Sequence, residues 1–138
     1  MRRNLLTGGA LGWAAFIFML SSQPATNFEG AGSSLDFIPA VDFFAHIFLY
    51  FVLAALVYGV LRIYLPRRKK LLMIDTVIFS LLYGVSDEFH QSFVPGRSAS
   101  AIDLLGDVLG AVLAVTLWLA IHRIMRNRRG SDADAGTS

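Results

Sequence analysis

The chain has 138 residues, 55% of them hydrophobic and 16% charged, where an average soluble domain carries about 25% charged residues. Mean hydropathy is +0.58, and the absence of cysteine excludes a disulfide framework, a thiolate metal site and a cysteine nucleophile. The net charge of +2 says little as a sum, but the placement of the charges says much more.

Four apolar stretches run from Leu5 to Leu20, Phe43 to Leu65, Leu71 to Val85 and Ala101 to Ile121. A helix rises 1.5 Å per residue, so about 20 residues cross a hydrocarbon core. The second and fourth stretches meet that length, and the first and third reach it with their polar ends in the interface. Backbone groups within lipid must pair inside their own segment, which makes helix the expected form. The fold class expected is therefore all-α, an integral membrane bundle of four transmembrane helices. Residues 1–129 form one membrane domain, and residues 130–138 a disordered polar tail. The connections are polar: Ser21 to Val41, the basic turn Pro66-Arg67-Arg68-Lys69-Lys70, and Asp87 to Ser100, where Pro95-Gly96 suits a type II turn.

Charge sets the expected orientation. Arg2 and Arg3 precede the first helix. Arg62, Arg67, Arg68, Lys69 and Lys70 lie at the second turnaround, and Arg123, Arg126, Arg128 and Arg129 follow the fourth helix. Arg97 stands on the other side with Glu29, Asp36, Asp42, Asp87, Glu88, Asp103 and Asp107. The positive-inside rule then puts both termini in the cytoplasm. Met1-Arg2-Arg3 before an apolar run also has the look of a signal peptide. Gln23 and Pro24 crowd the small-x-small cleavage pattern, so the first helix is expected to stay.

Ionisable groups inside a spanning helix are expensive and need partners or water. Asp42, His46 and Tyr50 are spaced i, i+4, i+8 and share one face of the second helix. The third helix ends in a dense polar run with Asp87, Glu88, His90 and Gln91, and Tyr83 one turn earlier. Asp103 and Asp107, also i and i+4, point the same way from the fourth helix. Gly106 and Gly110 give that helix small-xxx-small spacing for close packing. Arg97 has the guanidinium fork that grips a carboxylate or phosphate. Asp75, near the basic turn, is expected to pair with a neighbouring Lys or Arg, and His122 to lie at the interface.

These residues resemble the VanZ-like family of bacterial membrane proteins. The matching elements are Trp13, Leu20-Ser21-Ser22-Gln23-Pro24, the Asp42, His46, Tyr50 stripe, the run from Tyr83 to Arg97, and Asp103 with Asp107-Val108-Leu109-Gly110. The resemblance spans about residues 10 to 120. The family commonly has Asn where this chain has Asp107, and Lys near Phe43. It takes its name from a protein linked to low-level teicoplanin resistance. The resemblance implies a multi-pass protein of the bacterial cytoplasmic membrane.

The ligand-binding cluster expected is Asp42, His46, Tyr50, Asp87, Glu88, His90, Gln91, Arg97, Asp103 and Asp107. The favoured function is a non-enzymatic envelope protein whose outer cluster binds an envelope lipid, cell-wall intermediate or glycopeptide and alters drug susceptibility. One alternative is a metal-assisted or acid–base enzyme acting on a lipid-linked substrate, with His and carboxylates of the right ligand types but no known metal-ligand spacing. Another is ion or small-solute transport. The lipid bilayer is the expected partner and nucleic acid is not. Cofactor, metal and oligomeric state are left open.

Overall fold

The computed structural model describes residues 2–24 and 39–135. Glu29 and Asp36, and Gly136 to Ser138 of the tail, lie outside the described residues. The described chain forms four helices in sequence: α1 (Arg2–Ser21), α2 (Pro39–Tyr64), α3 (Lys69–Gln91) and α4 (Ala101–Ala135). Among the described residues there is no strand. Three of the helices, α1, α2 and α4, are long and apolar enough to cross a membrane. At 26 residues, α2 is about 39 Å long at 1.5 Å per residue, enough for a hydrocarbon core with margin. The remaining helix, α3, carries Asp75, Asp87 and Glu88 and is the amphipathic member of the set.

The sequence accounts for the breaks. Pro66 has no N–H to continue α2, and α3 begins within a few residues at Lys69. Ser100 caps α4: its Oγ accepts the Asp103 N–H at 3.2 Å. Between α3 and α4, Arg97 N–H bonds to the Val94 carbonyl at 3.1 Å, and Gly96 has φ 78°. With Pro95 before it, this is the type II turn the sequence predicts.

The end of α3 differs from the sequence expectation. Asp87 and Glu88 do not open a loop. The helix carries them on to Gln91, because both side chains pack inward and are buried. The last helix, α4, runs on past Gly130 to Ala135. Adding a residue to an existing helix costs far less than nucleating one, so one glycine does not stop it.

The bundle is built around α2. Its largest interface is with α4, and α1 and α3 pack against the same helix. Gly106 and Gly110 make the α2–α4 contact possible. A Cβ at Gly106 would stand 3.2 Å from the Phe43 carbonyl oxygen, and one at Gly110 would stand 2.9 Å from the Phe51 nitrogen and collide with the Ile47 carbonyl. Ala54, Ala111 and Ala114 extend this tight seam. Ile17, Tyr50, Leu53 and Val57 form the second core cluster, with Trp13, Ala14 and Tyr83 against it. Trp13 Nε1 donates to the Leu49 carbonyl at 2.9 Å and Tyr83 OH to the Ala14 carbonyl at 2.6 Å, tying α1 to α2 and α3. The outer surface is apolar: Leu5, Phe44, Leu82, Phe89 and Ile102 are all more than 60% exposed. An apolar coat of this extent fits hydrocarbon rather than water.

Candidate functional site

The polar end of the bundle holds its buried ionisable groups. On α2, the four-residue spacing turns His46 and Tyr50 to the same inner face, where their rings stack with centroids 6.4 Å apart. On α3, the buried residues are Leu72, Thr76, Ser80, Gly84, Asp87, Glu88 and Gln91, a stripe of mostly small and polar side chains. On α4, Asp107 is fully buried one turn below Asp103.

These faces meet. His46 Nδ1 lies 2.8 Å from Asp107 Oδ1, and both side chains are at least 92% buried. Glu88 comes in from α3, its Oε2 accepting the Ser100 backbone N–H at 2.6 Å. Gly84 leaves the room for Asp107, since a Cβ there would stand 2.6 Å from Oδ2. His46, Glu88 and Asp107 each offer a ligand atom, and these atoms all lie within 4.8 Å of one another. Among the described residues, Tyr50 OH, Ser80 Oγ, Glu88 Oε1 and Asp107 Oδ2 are buried and have no hydrogen-bond partner. Buried polar groups are usually satisfied, so Glu88 Oε1 and Asp107 Oδ2, on facing helices, set this part of the bundle apart.

A cleft of about 120 Å³ opens beside this trio, between α1, α2, α3 and the loop after α3. Ile17, Leu20, Ala45 and Leu49 supply its apolar wall, and Asp42, His46, Tyr50, Asp87, Gln91 and Arg97 its polar one. The polar groups are ordered as a chain: Arg97 Nη1 donates to Gln91 Oε1 at 3.0 Å, and Gln91 Nε2 donates to Asp87 Oδ2 at 3.1 Å.

Of the ten residues singled out in the sequence, His46, Tyr50, Asp87, Glu88, Gln91 and Asp107 are buried together. Asp42 is exposed on the cleft lining, and Arg97 is half-buried there. Asp103 is half-buried in the first turn of α4 and does not line the cleft. His90 faces elsewhere: Nε2 lies 3.0 Å from Ser22 Oγ, and its ring packs 4.4 Å from that of Phe18 on α1. Sequence reasoning passed over Ser80, Gly84 and Ser100. The four-residue recurrence Leu72, Thr76, Ser80, Gly84, Glu88 was the available signal for the first two.

At the opposite end, Arg67 Nη1 bonds to Asp75 Oδ2 at 3.0 Å, the pairing expected for Asp75. His122 accepts a hydrogen bond from Arg62 and is half-buried in the last part of α4.

An uncharacterized protein of Schizosaccharomyces pombe, C11E3.10, is 29% identical over 86 residues, which cover 62% of this chain. The match covers 51% of that protein, so the chain spans about half the length of this relative. No solved structure matches. Residues 8–123 match the VanZ/LLP1 family profile, a range that reaches into all four helices and includes every residue of the cleft and the buried trio. The chain therefore belongs to the VanZ/LLP1 family.

Proposed function

We propose that this protein is a multi-pass protein of the bacterial cytoplasmic membrane, with both termini in the cytoplasm, that binds the polar headgroup of an envelope lipid or lipid-linked cell-wall intermediate and thereby alters susceptibility to envelope-directed drugs. The observation that carries this reading is the composition of the cleft. One wall is aliphatic and the other presents Arg97, Gln91, Asp87, His46 and Tyr50, the pairing of surfaces an amphiphile needs. Its 120 Å³ is small beside the roughly 300–1,000 Å³ of sites for drug-sized ligands, so it suits a headgroup fragment and not an entire glycopeptide. Arg97 is the group to meet a phosphate or carboxylate there. The orientation rests on the arginines and lysines, which all gather at the end opposite the cleft except Arg97.

The test is complementation of a deletion strain with Arg97→Ala and Gln91→Ala at matched membrane levels, scored by sensitivity to envelope-directed drugs. The cleft reading expects normal insertion and failed complementation, and full complementation by both variants ends it. A second reading, acid–base catalysis on a lipid-linked substrate, is favoured by the His46–Asp107 pair beside Glu88. Headgroup release from a labelled lipid-linked intermediate by purified protein supports it, and none above background removes it. Transport is the weaker reading, because the buried ionisable groups gather at one end of the bundle.

A further inference from the structure

We propose that His46, Glu88 and Asp107 bind one divalent transition-metal ion, of the zinc and manganese class, inside the helix bundle. The inference goes beyond headgroup binding in the cleft and does not rest on it. Three helices each contribute one ligand: His46 from α2, Glu88 from α3 and Asp107 from α4. Their ligand atoms lie within 4.8 Å of one another. Metal–ligand bonds of about 2.0–2.2 Å put tetrahedral ligand atoms about 3.3 Å apart, so side-chain shifts of about an ångström close the sphere.

The second observation is the state of the carboxylates. Each is held by one oxygen and presents the other. Glu88 Oε2 takes the Ser100 N–H and Asp107 Oδ1 faces His46, leaving Glu88 Oε1 and Asp107 Oδ2 buried and without a hydrogen-bond partner among the described residues. The residues are 6% and 0% exposed, so water does not compensate freely for the missing bonds. Ser100 holds Glu88 from outside the trio, the kind of hydrogen bond that characteristically anchors a ligating carboxylate. Gly84 adds to the argument, since even a methyl group there would fill the space beside Asp107 Oδ2.

The donor set selects the ion. One imidazole and two carboxylates suit zinc or manganese, whereas magnesium and calcium favour all-oxygen sites. Three protein ligands leave a coordination position open, the arrangement of reactive rather than purely structural sites.

The experiment uses full-length protein in detergent, stripped by chelator, then loaded with Zn²⁺ or Mn²⁺ and separated from free ion. The expected result is one ion per chain in the wild type, with a thermal midpoint that rises on loading and falls on chelation. His46→Ala and Asp107→Ala should weaken binding more than tenfold. Asp75→Asn, at the other end of the bundle, should bind as the wild type does. Binding well below one ion per chain overturns the proposal, as does binding retained equally in the His46 and Asp107 variants. Should those variants fail to fold, the visible spectrum of Co²⁺-loaded wild type decides. Mixed nitrogen and oxygen ligation supports the site, and a spectrum of free aqueous Co²⁺ overturns it.

Discussion

The two ends of the bundle handle charge in opposite ways. At the basic end, Arg67 and Asp75 pair at 3.0 Å with side chains 54% and 31% exposed. Arg62 lies over Trp118 and Arg3 over Tyr64, at 5.7 and 5.5 Å from the ring centroids. These charges stay at the surface and keep their hydration. At the other end, His46, Glu88 and Asp107 are taken inside the bundle. Helix packing makes the difference. Gly84, Gly106 and Gly110 let α3 and α2 close around α4 where the buried carboxylate projects, and no comparable glycine seam surrounds Arg67 or Asp75 among the described residues. The lesson is that charge alone does not define a site in this chain; charge placed beside missing side chains does.

The sharpest way to break this comparison is to remove one buried partner. His46→Ala leaves Asp107 buried without its imidazole, and should lower stability by about 3–5 kcal/mol in detergent unfolding. A loss as small as that of a surface pair would erase the distinction between the ends. Gly110→Ala comes next, at about 1–3 kcal/mol, because the new methyl group meets backbone of α2 that cannot rotate away. Gly84→Ala should fall below it in the same assay, since the atoms it meets belong to the side chains of Asp107 and Leu104. Trp13→Phe removes the bond to the Leu49 carbonyl and should cost about 0.6–1 kcal/mol in thermal unfolding. Smallest is Arg67→Ala at the basic end, expected at about 0–1 kcal/mol and dependent on salt. A single-cysteine series sharpens the comparison in another way, because the natural chain contains none. Ser98→Cys and Arg68→Cys should label from opposite faces of intact cells and inverted vesicles.

Much of this was legible in the sequence, for identifiable reasons. Helical period brought His46 and Tyr50 to one face, and the i, i+4 carboxylates flagged Asp107. Gly106 and Gly110 marked the close seam, Pro95-Gly96 its turn, and the nearness of Asp75 to a basic run its ion pair. Two things were harder to read. Which of several carboxylates meets His46 depends on the relative rotation of α2 and α4, which one helix does not encode. The Ser100 N–H on Glu88 depends on the path of the loop between α3 and α4. His90 shows the limit of counting neighbours along the chain. Two residues past Glu88 it stands about 200° further round the helix, which carries it out of the buried stripe and against α1.

The uneven character of α3 has a consequence for synthesis. Thr76, Ser80, Asp87, Glu88 and Gln91 form one face that hydrocarbon would leave unsolvated, and α3 is not among the helices apolar enough to cross alone. That face is covered by α4 and α2 in the finished bundle. When α3 emerges from the ribosome α2 is already made, but α4, its larger interface, is not. Entry of α3 into a bilayer is therefore expected to wait for α4, with the two helices going in as a hairpin around the Val94–Arg97 turn. A chain halted within that turn would carry every residue of the amphipathic helix and still lack the neighbour that makes its passage affordable.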